Sequence, residues 1–296
     1  MRTCLGLSSR FAGLNFRFLL RDTNPYGLIL EFLRWESVCD IEVHRNHPLR
    51  SARYDDHPRP GCSGVLLSLT TQRMPNTARR FQMWYHGQNS TYAAIIQRYG
   101  PLLNETEVER FPFGTPPRPI RSEGAFQAYF CEFVRIRVRR ALRVGFEHLS
   151  PLSERQLVKV TLEYGTQGRI DDNFKPNTAF VLDNPEDPNP VNRAPGDIRV
   201  SWKWNSSYGH SRDPLLRREY YKVMAQVDFD MCQHGARHAY VMTDTEFVAI
   251  KRLDENGQLA VAEAIPWTSG GVGQPSVLLG LWYLGMLAVE EDTWSL

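Results

Sequence analysis

Between Ala125 and Phe146 the apolar residues Phe126, Phe130, Val134, Val138 and Leu142 recur every four positions. That spacing lays one apolar stripe along a helix, and such a stripe needs an apolar surface to lie on. The chain that follows supplies one. Gln156–Tyr164, Thr178–Leu182 and Ile198–Trp204 predict three strands. Asp213–Gln233 predicts a helix, capped by Asp213 with Pro214 in its first turn. Ala239–Met242, Glu246–Ile250 and Leu259–Ile265 predict further strands, the last two joined at Asn256–Gly257, a strong hairpin signal. Val277–Leu287 predicts a buried helix. Mixed runs of this kind predict an α/β fold, a central mixed sheet flanked by helices.

The preceding region is less regular. Phe111–Pro119 holds four prolines in nine residues, which breaks regular structure and predicts a linker. The expected organisation is therefore a segment over 1–22, an N-terminal region over 23–119 and a main domain over 120–296. Within 23–119, residues 26–35 are apolar, Val38, Ile41 and Val43 alternate, 53–62 predict an exposed turn, 65–69 a strand and 91–99 a short helix. Residues 1–22 carry four arginines and no acid before Asp22. That composition is similar to a mitochondrial transit segment, but a plain basic tail is the favoured reading.

Composition excludes several classes. Apolar residues make up 42% and charged residues 23%, so the chain can build a core. The longest apolar run, Val277–Val289, falls short of the roughly 20 residues a spanning helix needs, which predicts no membrane association. Five scattered cysteines without a CxxC pair argue against a disulfide framework and for an intracellular setting, nuclear or cytoplasmic. A net charge of +2 does not by itself mark a nucleic-acid binder.

The segment Ile198–Trp204 is the most informative. If it is a strand, Ile198, Val200, Trp202 and Trp204 point into a core, while Asp197, Arg199, Ser201 and Lys203 share the other face. A row of acid, base, hydroxyl and base calls for an explanation. A cross-strand ladder of ion pairs is one, and a functional site is the other. Lys175-Pro176-Asn177 precedes the strand at 178–182, and Gln226 lies in the following helix.

This order of elements, with those motifs, resembles the PD-(D/E)XK nuclease-like fold, with its restriction-endonuclease-like αβββαβ core. The family sets an acid after a proline at the second strand and an acid-x-Lys on the third. Here the counterparts are Asn177 after Pro176 and Asp197-Ile198-Arg199. The segments GDIRVSWKW, MAQVDFDMCQHGARHAYVMTDTEFVAIKR and IPWT also resemble a group of fungal proteins of this nuclease-like type. The resemblance covers about residues 125–289. It implies Mg²⁺-dependent phosphodiester hydrolysis on DNA or RNA, with Asp197, Arg199, Lys203 and Gln226 as catalytic residues. Asp197 and Asn177 stand at the metal-ligand positions, and Asp183, on the Asn177 face of its strand by alternation, could replace the missing carboxylate, with Glu132 or Glu163 as a further ligand.

Two departures bear on that expectation. Asn177 brings no charge where Mg²⁺ prefers anionic oxygen. Arg199 keeps its proton too firmly for general-base work, although it can clamp a phosphate. The alternatives are a non-catalytic binding or scaffold module of the same fold, or a pocket reused for a small organic anion.

Other signals are weaker. Arg135, Arg139 and Arg143 form a basic stripe that could meet phosphates but more commonly marks a solvated face. Trp202, Trp204, Trp267, Trp282 and Tyr283 could stack bases but are more often core. Cys232, His234 and His238 lie close together without a standard zinc spacing. There is no nucleophile elbow, phosphate loop or dinucleotide-binding glycine motif.

Overall fold

In a computed structural model of the chain, the described residues are 26–34, 82–83, 90–109, 119–152, 158–169, 175–184, 186–255, 257–290 and 295. The segment 1–22, the features at 38–43, 53–62 and 65–69, and most of the proline-rich linker lie outside them.

The striped helix forms as α3 (Glu123–Tyr129) and α4 (Ile136–Leu149), joined without a break by a π-helical turn at Phe130–Arg135. The sequence explains that turn. At 100° per residue, a strict four-residue repeat drifts by about 40° at each step. A wider turn takes up part of this drift. All five stripe residues, Phe126, Phe130, Val134, Val138 and Leu142, are consequently buried, as is Phe146 one step further on.

The strands follow in the expected order: β4 (Val160–Tyr164), β5 (Thr178–Leu182) and β6 (Asn192–Ile198). Then come the helix α5 (Pro214–His234) and the strands β7 (His238–Met242), β8 (Glu246–Arg252), β9 (Leu259–Val261) and β10 (Ile265–Pro266). Helix α6 (Val277–Ala288) ends the series. The sheet is mixed and runs β9-β8-β7-β6-β5-β4, with β10 also on β8. β4, β5 and β6 are antiparallel neighbours, and β6 and β7 are parallel, linked by the crossover helix α5. Asp213 caps α5 by accepting from the Leu215 N–H, and Gly235 closes it at φ 61°, a left-handed conformation that favours glycine.

The third strand differs from its expected span. It covers 192–198 rather than 198–204, and the chain turns at 201–203. Pro195 is tolerated inside it because the parallel pairing with β7 starts only at Gly196, so the β7 side of Pro195 has no ladder partner. Once the strand ends, alternation no longer governs the side chains. Trp202, expected inside, is 41% exposed, while Trp204 is buried against the ring of Tyr220.

Alternation along β7 divides the interior into two cores. Tyr240 and Met242 join the core beneath α3, α4 and α6, and Ala239 and Val241 join the one beneath α5. Helices α1 (Ile29–Arg34) and α2 (Ser90–Glu105) contribute Leu33, Ile95 and Leu103 to the first core. The short strands β1 (Tyr26–Leu28) and β3 (Glu107–Glu109) pair with each other, and β2 (Gln82–Met83) adds to β9 in parallel. The described parts of 23–119 thus share a core with residues 120–296. None of the described helices is long and apolar enough to cross a membrane.

Candidate functional site

A cleft of about 420 Å³ lies between α5, the end of β6 and the start of β5, lined by Lys175, Pro176, Asn177, Asp197, Arg199, Gln226 and Asp230. Three elements build it. β6 alternates, so Ile198 enters the core while its neighbour Asp197 faces α5. The pairing of Thr178 with Gly196 brings the segment before β5 alongside Asp197. Asn177 locks that join by accepting the Ile198 N–H on its Oδ1 at 2.8 Å. Gly196 is needed there, because a Cβ would collide with the Tyr240 ring and the Thr178 hydroxyl.

Arg199 follows Asp197 by two residues and sits on the same face. Its backbone N–H still reaches Met242 of β7, at 2.9 Å, and its Nε donates to Asp197 Oδ2 at 2.7 Å. Asp197 is only 5% exposed. Burial raises its pKa against the opposing effect of the guanidinium, and Glu123 adds to the rise. In return the carboxylate raises the pKa of Arg199, outweighing the opposing effect of burial. On α5, Gln226 Nε2 donates to Asp230 Oδ1 at 2.9 Å, one turn away. Burial, reinforced by the nearby Asp197 charge, pushes Asp230 up to about 6.

The loop behind the cleft is pinned. The backbone N–H and hydroxyl of Ser201 donate to Asp244 at 2.5 and 3.0 Å, and those of Ser206 donate to Glu246 at 2.6 and 3.1 Å. These four bonds hold the turn that fixes Arg199.

Of the residues expected in the site, Asp197, Arg199, Asn177 and Gln226 come together, with Lys175. Lys203, Asp183 and Glu132 do not line the cleft. Lys203 was placed there by alternation, but it lies in the turn after β6 and donates to Glu123 at 2.7 Å. Asp183 is exposed beyond the opposite end of β5, about 20 Å from Asn177 at strand rise. Glu132 is exposed on the π turn. Glu163 is committed elsewhere, accepting from Arg135 at 2.7 Å and Arg139 at 2.9 Å. Arg143 pairs with Glu147 at 3.0 Å, so the basic stripe is matched by acids along its length.

Other candidates disperse. Trp267 donates to the Thr243 carbonyl, and Trp282 packs edge-on to Tyr99 in the core. Cys232 is exposed on α5, His234 is buried, and His238 faces the α6 side. No group of three or more His, Cys, Asp or Glu side chains converges among the described residues.

Sequence reasoning missed Asp230 and Glu123. The first was within reach: Gln226 and Asp230 are four apart on a predicted helix and must share a face. Glu123 approaches through the packing of α3 against the turn after β6, which no local pattern signals. Compared with protein-family models, curated proteins and solved structures, the chain gives no significant match to any of them.

Proposed function

We propose that residues 120–296 form a PD-(D/E)XK nuclease-like domain whose cleft binds the phosphate backbone of a nucleic acid without a metal. The observation that supports the family reading is the juxtaposition of Lys175-Pro176-Asn177, Asp197, Arg199 and Gln226 in one cleft, on the helix-strand-strand-strand-helix-strand order.

The donor set fits Mg²⁺ poorly. Mg²⁺ takes anionic oxygens in a tight octahedral shell. Here the Asp197 carboxylate already holds a charge-assisted bond from Arg199. The Asn177 carbonyl is spent on the Ile198 N–H. The Asp230 carboxylate already accepts from Gln226 Nε2. The guanidinium of Arg199 therefore supplies the positive charge that a buried acid requires. Arg199 and Lys175 are the phosphate contacts, and Trp202, exposed in the turn three residues after Arg199, offers a face for a base.

A second reading, metal-dependent phosphodiester hydrolysis, is favoured by one observation: Asp230 brings a second carboxylate into the cleft in place of the one Asn177 lacks.

The test is fluorescence anisotropy of the full chain with labelled single-stranded and duplex DNA and RNA, across salt concentrations, with and without Mg²⁺ or Mn²⁺. Metal-independent binding without cleavage is expected. On duplex DNA, two contacts give a slope of about −1.8 in log affinity against log salt. Lys175→Ala and Arg199→Ala each flatten it by about 0.9. Absence of binding to every nucleic acid overturns the proposal. Metal-dependent cleavage, lost in both Asp197→Ala and Asp230→Ala, replaces it with the second reading.

A further inference from the structure

The opposite face of the sheet carries a separate pocket of about 520 Å³, between α2, α6 and the outer strands β8 and β9. Its floor is apolar, built from Phe247, Ile265 and Leu284. Its polar end is made where β7 begins. Side chains at 238, 240 and 242 share the α6 face, so His238 points here rather than toward Asp197. Its ladder partner Lys251 stands directly opposite, and Arg237 completes the end wall.

These groups are in an unusual state. His238 is 6% exposed, and its Nδ1 has no hydrogen-bond partner among the described residues. Burial, then Lys251 and Arg237, lower its pKa to about 4, so the imidazole is neutral at physiological pH. The buried Arg237 Nε also has no hydrogen-bond partner among the described residues. Neither Arg237 nor Lys251 has an ion-pair partner among the described residues. The other charges of the pocket are Arg98, matched by Glu290 at 2.6 Å, and the exposed Glu263. Among the described residues, one end of an apolar slot thus carries two cations without an ion-pair partner, Arg237 and the exposed Lys251, beside a neutral imidazole. A buried polar atom left without a partner is costly, so an occupant that supplies one gains affinity.

We infer that this pocket is a second binding site, for a small organic carboxylate with an apolar body. The body lies on Phe247, Ile265 and Leu284, and the carboxylate meets Arg237, Lys251 and the His238 ring N–H. The volume is in the range of small-molecule sites. The inference is independent of the nucleic-acid reading, because the two sites lie on opposite faces of the sheet.

Calorimetric titration of the full chain with octanoate, octylammonium and acetate tests it. Octanoate binds, and the other two bind about tenfold or more weakly, since each lacks one half of the recognition. The charge swap R237E/K251E weakens octanoate at least about tenfold and favours octylammonium instead. Ala262→Trp, at the half-exposed edge of the slot, blocks octanoate while leaving the melting profile intact. Asp197→Ala leaves octanoate binding unchanged. Any of four results overturns the inference. These are equal binding of octanoate and octylammonium, unaltered binding by Ala262→Trp, loss of binding in Asp197→Ala, or no octanoate binding by the folded wild type.

Discussion

Helices α5 and α6 cover opposite faces of one sheet and are built on opposite terms. Ten of the twelve residues of α6 are buried, and only six of the twenty-one of α5 are. α6 is apolar all round because the sheet lies beneath it and α1 and α4 enclose it. α5 meets the sheet along Tyr220, Met224, Val227 and Met231 and adds Gln226 and Asp230 at the cleft. The difference is visible within two residues of β6: Ile198 enters the apolar core, and Asp197 enters the cleft. One layer holds the molecule together, and the other combines a smaller core with a polar site at its edge.

Substitution in the two layers separates these roles. Trp282→Ala in α6 removes a fully buried indole and is expected to cost about 3–5 kcal/mol in chemical denaturation. Gln226→Ala at the cleft is expected to change stability far less. Comparable losses from the two would break the comparison.

The next effect is the pH dependence that Asp230 adds at the cleft. Asp230 has a folded pKa of about 6 against an ordinary 3.8, so the folded chain binds that proton more tightly than the unfolded one. The resulting stabilisation is complete below pH 3.8 and is lost as pH rises through about 6. The two-unit difference corresponds to about 2–3 kcal/mol. Asp230→Asn should flatten the denaturation midpoint over that window relative to wild type. An unchanged slope would place Asp230 in a wetter setting than the one described.

Asp197→Asn sharpens the functional side. It frees the Arg199 guanidinium from its counter-ion, so under the metal-free reading nucleic-acid affinity rises, by about threefold to tenfold at low salt. Under the metal-dependent reading the same change removes cleavage. The smallest effect belongs to Lys203→Ala. Its side chain is 59% exposed and pairs with Glu123, and the loss should stay below about 1 kcal/mol, with binding unchanged.

Much of the fold was legible locally. The cap at Asp213 and the hairpin before β9 are short-range signals, and the elements there fall within a few residues of expectation. The π turn in the first helix was not foreseen, although the four-residue repeat contains its cause. At the site, Asp197, Arg199, Asn177 and Gln226 were legible as a motif. Lys203 was misplaced because alternation was extended past the end of a strand, and Trp202 failed for the same reason.

The sequence by itself determined the order of helices and strands and which neighbouring residues alternate, because caps, turns and periodicities act over a few bonds. Only the tertiary structure decided where β6 ends and that Asp230 faces Asp197. It alone showed that Arg199 holds the buried carboxylate and that His238 turns to the other side. A strand ends where its partners stop offering hydrogen bonds, and a buried charge is neutralised by whatever group packing brings near. Both depend on residues far apart in the chain, which no local pattern records.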